Sequence, residues 1–553
     1  MFVYTLLCFY LGSVVGLRID KDNPPQWSDV YTVKGLLNIP YAELHEPFYA
    51  WFDSKNGKSR IDYYGTMVKT YQLSASVYPQ YGTSIKIAPV TTEHVLNQDT
   101  CLQVNGTEGE NINIQTVLPD MTDFKFVGTE TMKDSDTFKW RMVTSVGDKV
   151  NKYTMWVKYR KSLRGDNIAI PVRYEMKGFN SLLGSHYDHY YLDYTDFDNS
   201  DIEPDVFKVD SSFKCSSFPG PGFRHMATFN PMKEFVHPAS DEHVHHEFDR
   251  FVNKHNKQYA SEVEKTKRIN IFRQNLRLIH SHNRAHRGFS LAVNHLADHT
   301  DEELAARRGR RYTGHNAGLP FPYGEAELAD MSVKLPPEFD WRLFGAVTPV
   351  KDQSVCGSCW SFGTVGAVEG ALFLSNGGHL VRLSQQALVD CSWGFGNNGC
   401  DGGEDYRAYQ WIMRHGLPTE DDYGGYLGQD GYCHMENVTV ATKMKGWVNV
   451  TAKNENALKL AIFKHGPVSV AIDASHKTFS FYSNGVYFEP KCKNSVEELD
   501  HAVLAVGFGV LNGHKYWLVK NSWSNMWGND GYVLMSARDD NCGVQAAPTY
   551  VII

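Results

Sequence analysis

The stretch Ser354-Val355-Cys356-Gly357-Ser358-Cys359-Trp360-Ser361-Phe362-Gly363 places a turn of small residues and a cysteine at the mouth of an apolar-periodic segment. Phe362, Val365, Val368 and Leu372 follow at intervals of three to four. That spacing predicts a helix with Cys359 at its N-terminus, facing the positive end of the helix dipole, where a thiolate is stabilised. Downstream, Asp500-His501-Ala502-Val503 and Lys520-Asn521-Ser522-Trp523-Ser524-Asn525-Met526-Trp527-Gly528 add one His and one Asn, in the order that a Cys, His, Asn nucleophilic arrangement needs. Taken singly, Cys359 also reads as a buried half-cystine and His501 as a core histidine.

Working outward, 553 residues exceed one ordinary domain, and length alone suggests about three to four units. The net charge of -8, without a long basic run, argues against nucleic acid as a partner. Residues 1–16, MFVYTLLCFYLGSVVG, form a short apolar stretch ending in small residues, read as a secretory signal although it lacks a basic start. No later segment is long enough to span a bilayer. Of ten cysteines, Cys8 leaves with the signal and Cys359 is reserved as nucleophile; the remaining eight fit four disulfides in an oxidising compartment. Asn105, Asn437 and Asn449 head glycosylation tripeptides, which agrees with passage through the secretory route to a lysosome or the exterior.

From 17 to 225 the chain is rich in Tyr, Val, Thr and Ile in short alternating runs, and predicts antiparallel strands in an all-β domain, a curved sheet or barrel. Turn clusters such as Ser54-Lys55-Asn56-Gly57 punctuate it, and Phe218-Pro219-Gly220-Pro221-Gly222 reads as a stiff linker. The character then changes. Glu264, Arg268, Phe272, Asn275, Ile279 and Asn283 share one face of a long helix. Residues 301–331 read as a loop, with Arg307-Arg308-Gly309-Arg310-Arg311 as an exposed charge run open to proteolysis. His237, His243, His245 and His246 lack the spacing of a structural zinc site, so no metal is expected there; their charging below pH 7 would loosen this region in acid.

The whole pattern resembles papain-like cysteine proteases of the cathepsin L type. Cys356-Gly357-Ser358-Cys359-Trp360 matches the family signature, with His501 inside the usual window of about 130 to 150 residues downstream and Asn521 slightly beyond it. The six-residue helix series matches the family's pro-region motif, and Ala292-Val293-Asn294-His295-Leu296-Ala297-Asp298 resembles its second motif, with Ala and Leu replacing Gly and Phe. Leu335-Pro336-Pro337-Glu338-Phe339-Asp340-Trp341 resembles the start of a mature enzyme, so activation would cut shortly before it. The order of segments resembles the two-chain insect haemocyte cysteine proteases, and the close of the β-domain is similar to ependymin-like secreted proteins, whose sheets bind hydrophobic ligands. The expected layout is multidomain: signal at 1–16, β-rich domain at 17–225, linker and inhibitory helical pro-region at 226–334, and an α+β two-lobed catalytic domain at 335–553.

That resemblance implies roles residue by residue. Cys359 is the nucleophile, His501 its acid and base, Asn521 the group that orients the imidazole, Gln353 an oxyanion donor, and Trp523 a shield over the Asn and His pair. Gly402 and Gly403 hold the substrate backbone. Ala471, Leu499, Ala502 and Ala547 line an S2 pocket roomy for a hydrophobic side chain, which Glu404 borders; that carboxylate either admits basic side chains or points into water. The implied disulfides are Cys356–Cys400, Cys391–Cys433 and Cys492–Cys542, which leaves Cys101 and Cys215 to each other. No cofactor or metal is required. The expected partners are peptide or protein substrates, the chain's own pro-region as inhibitor, the N-terminal domain retained beside the catalytic chain, and a hydrophobic ligand of that domain. Ser354 and Ser524 stand where the family usually has Gly, at positions that could require φ > 0, so an altered rate rather than lost activity is expected. Rival readings are an acyl-transferring relative, and a secreted ligand-binding or adhesion protein, presenting Arg164-Gly165-Asp166, whose protease half is vestigial.

Overall fold

The computed structural model describes residues 20–75, 79–162, 165–237, 241–285, 287–314 and 316–553. The expected signal at 1–16 and Arg164 of the adhesion tripeptide lie outside the described residues.

Alternating inward residues build the N-terminal half. In β11 (Ser185–Asp198) Tyr190, Leu192 and Tyr194 are buried, and in β10 (Asn167–Asn180) Tyr174 and Met176 are, so every second side chain enters one core. With β1 (Val30–Ile39), β2 (Leu44–Asp53), β3 (Lys58–Tyr63), β4 (Val68–Leu73), β5 (Thr83–Val90), β6 (Gln98–Asn105), β7 (Lys125–Met132), β8 (Ser135–Val146), β9 (Lys149–Lys161) and β12 (Ser216–Ser217), they form one twelve-stranded sheet. Its order is β12-β6-β5-β4-β3-β2-β1-β11-β10-β9-β8-β7, antiparallel throughout except for the parallel pair β12 and β6. The sheet therefore has two edges rather than the closure of a barrel. Its apolar face is covered by the chain itself: Val117, Leu118, Met121 and Phe124 from the loop after β6, and Met232, Phe235 and Val236 further on, share the core with Trp140 and Tyr174. Tyr31, Tyr194 and Trp27 tie that loop down through Thr116 Oγ1 and the carbonyls of Val117 and Pro119, at 2.7–2.8 Å.

The expected linker is not free. Helices α1 (Phe223–Phe229) and α2 (Lys233–Val236) fold back on the sheet, and Gln72 Nε2 donates to the Phe229 carbonyl at 2.7 Å. The pro-region proper starts with α3 (Glu242–Lys254) and α4 (Glu262–Arg284). Ser261 caps α4, accepting from Glu264 N, while the Glu264 carboxylate takes the Ala260 N–H. Arg268 then grips Glu303, Asn275 donates to the Ala297 carbonyl and Asn283 to that of Leu291, so three of the four polar members of the six-residue series bind the segment that follows α4. Phe272, Leu276 and Ile279 are buried with Phe248 and Phe251 of α3.

The other face of α4 is buried too, against the N-terminal domain. Arg277 donates to Asp188 at 2.7 and 2.9 Å and to Glu234 at 2.7 Å; Arg284 donates to both oxygens of Glu46 at 2.6 and 2.8 Å; Ser281 meets the Tyr64 hydroxyl at 2.6 Å. Burial opposes ionisation of Glu234, yet Arg277 and His243 hold its carboxyl well below the usual range. Breaking such a pair on one side is the costly change, because the surviving charge stays buried. Arg284→Met is expected to destabilise α4 by ~3–5 kcal/mol, and adding Glu46→Leu should recover most of it, measured as hydrogen-exchange protection of α4 in the intact protein.

Residues 301–331 are not one loop. Thr300 and Glu303 form a capping box for α5 (Asp301–Ala306), and α6 (Glu325–Ser332) packs on the catalytic domain. Two short pro-region strands, β13 (Phe289–Leu291) and β14 (Leu319–Pro320), add to the ends of the catalytic sheet, beside Tyr482–Tyr487 and Gly446–Asn449. That sheet carries His501–Leu511 and His514–Lys520 near its middle. The other lobe is helical: α7 (Cys359–Ser375), α8 (Gln385–Cys391), capped by Ser384, and α9 (Asp405–His415). Among the described residues no helix is long and apolar enough to cross a membrane.

Candidate active site

Cys359 is the first residue of α7, whose Val365, Ala367 and Val368 are buried, while Gly363 and Gly366 lie close against Ala502 and Leu504 of the opposite lobe. His501 opens the strand His501–Leu511, and Asn521 follows the neighbouring strand His514–Lys520, so the hairpin sets the two side by side. His501 Nε2 lies 2.8 Å from Asn521 Oδ1, which also accepts from Ser522 N–H. The Trp523 ring sits 4.9 Å from the imidazole, centroid to centroid. Gln353 is fully buried: its Oε1 accepts from Ser522 Oγ at 2.7 Å, and its Nε2 donates to the carbonyls of Cys356 and Arg307. Cys359, His501, Asn521, Gln353 and Trp523 thus meet in the cleft between the lobes.

The cleft is filled by the pro-region. Gly309 N–H points at Cys359 Sγ at 3.3 Å, with the Ala502 N–H on the same sulfur at 3.5 Å. Gly403 N–H donates to the Gly309 carbonyl at 2.9 Å, and Arg311 N–H to the Gly403 carbonyl at 3.0 Å. At Gly309 a Cβ would stand 1.7 Å from the Gly357 carbonyl oxygen, so only glycine passes there; a Cβ on Gly402 would meet the Gly309 carbonyl at 2.6 Å.

This overturns the exposed charge run except at Arg311, which is exposed as expected. Arg307 reaches Asp352 at 2.9 Å, Arg308 reaches Asp500 at 2.8 Å, Arg310 lies against Glu404, and Arg311 donates to the Asp401 carbonyl. Carboxylates lining the cleft offset the desolvation of the Arg307, Arg308 and Arg310 guanidinium groups, which a solvated stretch would not need, while Arg311 stays exposed. Beyond the cleft, Val333 is 86% exposed, immediately before the expected start of the mature chain.

Burial also reverses the expected state of the nucleophile. It pushes the Cys359 thiol up to about 11, against the pull of the Ala502 and Gly309 N–H groups, and drives the His501 imidazole down to about 4, against Asn521. With the pro-segment in place the helix terminus is outweighed by the loss of water, so thiol and imidazole are both neutral.

The pocket beside the thiol collects Glu404, Ala471, Ala502 and Ala547, with Ala546 added, while Leu499 lies beneath it in contact with Ala471 and Ala546. Glu404 does not point into water: it is 3% exposed and faces Arg310. Ser354 and Ser524 do have positive φ, at 57° and 70°. Disulfides join Cys101–Cys215, Cys356–Cys400, Cys391–Cys433 and Cys492–Cys542, and Cys359 is free.

Two expectations need correcting. Asn449 was read as a glycan acceptor, but its half-buried Nδ2 faces the carbonyls of Asn316 and Gly318, so the pro-region covers it; Asn105 and Asn437 are exposed. The histidines singled out for acid sensing do not face the catalytic domain: His243 pairs with Glu234 at 3.0 Å, His245 with Asp241 at 3.7 Å, and His246 stacks on Phe223. They do not converge as a metal set either. Asp473, His476 and Cys492 do cluster, but Cys492 is spent in its disulfide.

Comparison with known proteins agrees with this geometry. Residues 335–552 match the papain family cysteine protease model, and 248–304 the cathepsin propeptide inhibitor domain. A cathepsin L-like peptidase of Aedes aegypti is 44% identical over 323 residues, covering 56% of this chain and 94% of that protein. Procathepsin L of Mus musculus is 39% identical, covering 57% and 94%. Among solved structures, the digestive procathepsin L2 proteinase from Tenebrio molitor larval midgut superposes with a TM-score of 0.52 at 35% identity, over 56% of this chain and 100% of that one.

Proposed function

Since the chain belongs to the papain family of cysteine proteases, as a cathepsin L-like zymogen carrying its own propeptide, we propose that it hydrolyses peptide bonds through a thioester once the pro-segment leaves the cleft. The observation that carries this is a peptide already lying there, its backbone held by Gly403 and one N–H on Cys359 Sγ. Removing it returns water to Cys359 and His501, and the helix terminus then favours a thiolate beside an imidazolium. The thiolate adds to the substrate carbonyl carbon. Gln353 Nε2, which now donates to the Arg307 carbonyl, and the Cys359 N–H take the oxyanion. His501 gives its proton to the departing amine, leaving an acyl group on sulfur. Water, losing a proton to His501, then adds to the acyl carbon, releases the acid and restores the thiolate and imidazolium.

Four disulfides fit synthesis in the secretory pathway, for delivery to a lysosome or the exterior, with activity in acid. The N-terminal domain meets the rest of the molecule chiefly through α4, so a two-chain mature form would keep that domain for as long as it keeps the helix. The test is alkylation. An epoxide that traps papain-like thiolates should add once, at Cys359, after acid treatment and far more slowly at neutral pH, read by peptide mass; labelling at equal rates in both conditions would sink the reading.

A further inference from the structure

The alanine walls of the pocket beside Cys359 imply an apolar occupant, but the side chain seated there is Arg310, which is 8% exposed. Its Nη1 donates to the carbonyls of Val496 and Leu499 at 2.7 and 2.9 Å, and its Nη2 stands 3.6 Å from Glu404 Oε1. The other Glu404 oxygen accepts from the N–H and hydroxyl of Thr313. Every hydrogen-bond or ion-pair partner of that carboxylate among the described residues therefore belongs to the pro-segment.

Once the pro-segment leaves, three acceptors of the catalytic domain lose their protein donors, the Glu404 carboxylate and two carbonyls, and only water replaces those donors until a substrate side chain enters and expels it. An unpaired buried carboxylate is expensive, and so is a desolvated carbonyl. A leucine or phenylalanine entering the pocket would fill the space between the alanines and leave all three unpaired. An arginine or lysine would bring a cation on an apolar stem, matching both the walls and the acceptors at their end. We propose that Glu404 makes this pocket select a basic side chain, so that the mature enzyme prefers peptides carrying arginine or lysine at the residue that enters it. The inference rests on the protease reading above and adds a substrate class to it. Arg310 is then the pro-region's imitation of the preferred substrate side chain.

The experiment uses the full-length zymogen after acid activation, with active sites titrated by the epoxide, and fluorogenic peptides that differ only at the residue entering this pocket: arginine, its neutral isostere citrulline, or leucine. Wild type is expected to turn over the arginine peptide with kcat/KM ~30-fold or more above the citrulline one, a discrimination of the size that a paired buried charge supports. In Glu404→Gln the arginine-to-leucine ratio should fall by about the same factor. If that variant does not fold, the arginine and citrulline comparison in wild type decides alone. Equal rates for arginine and citrulline, or a ratio indifferent to Glu404→Gln, overturn the inference while leaving the protease intact. No turnover of any peptide by enzyme that still takes the epoxide overturns the protease reading and this inference with it.

Discussion

Acidification to about pH 4.5 is expected to undock the pro-region, with His282, His295 and His299 setting the window. Burial drives these imidazoles down, to about 4, about 3 and about 4. Arg287 adds to this at His282 while the Phe289 carbonyl opposes it; Asp352 opposes it at His295, where Arg307, His299 and Lys257 reinforce it; Asp298 and Glu303 oppose it at His299. Above the ordinary histidine value of 6.5 both docked and released states are neutral, and the stabilisation is fully present. As pH falls below 6.5 the released state takes up protons that the docked state refuses, at up to ~1.4 kcal/mol per group per pH unit. Two units of acidification remove on the order of 2–3 kcal/mol per histidine, or ~6–8 kcal/mol for the three, comparable with the stability of a small domain. Below about 4.5 the Glu303 carboxyl, held at about 2 chiefly by Arg268, adds a loss of the same sign. Epoxide labelling of Cys359 against pH reads the transition. The triple variant His282→Gln, His295→Gln, His299→Gln should move its midpoint by about one unit toward acid, whereas a midpoint that does not move removes these histidines from the account.

Cys359→Ala is expected to lower peptide turnover by ~10⁴-fold or more, since the covalent route is lost and only binding and the oxyanion donors remain. Cys359 contributes little to packing beyond its sulfur, which accepts two long N–H contacts, so the variant should fold and keep its disulfides. Turnover of fluorogenic dipeptides by acid-treated wild type and variant, at equal protein, measures it. Residual activity within tenfold of wild type would place the chemistry elsewhere.

Local patterns with one physical reading were legible in the sequence. The small-residue turn before α7 and the spacing of Phe362, Val365, Val368 and Leu372 led to a cysteine at a helix terminus, and the residues chosen with it meet in one cleft. Alternation of Tyr, Val and Ile led to strands in the N-terminal half, although strand order and open edges depend on long-range pairing that no local window contains. Arg307, Arg308 and Arg310 were misread because charge alone suggests solvent, and only the carboxylates brought to the cleft by distant segments make their burial favourable. Thr300 and Glu303 did offer a capping-box signal for α5. Arg277 and Arg284 are seven residues apart on α4, a basic stripe that reads equally as a solvated face; their acceptors Asp188 and Glu46 lie some ninety and more than two hundred residues away.

Synthesis runs from the amino terminus, and the whole twelve-stranded sheet precedes α4 in the chain. Asp188 and Glu46 are therefore in place when α4 leaves the ribosome, well before Cys359 is made. Domains tend to fold in that order during translation. On that order the inhibitor helix has its partner carboxylates before the catalytic lobes are made, and the N-terminal domain is placed to act for the nascent chain as an intramolecular assembly platform.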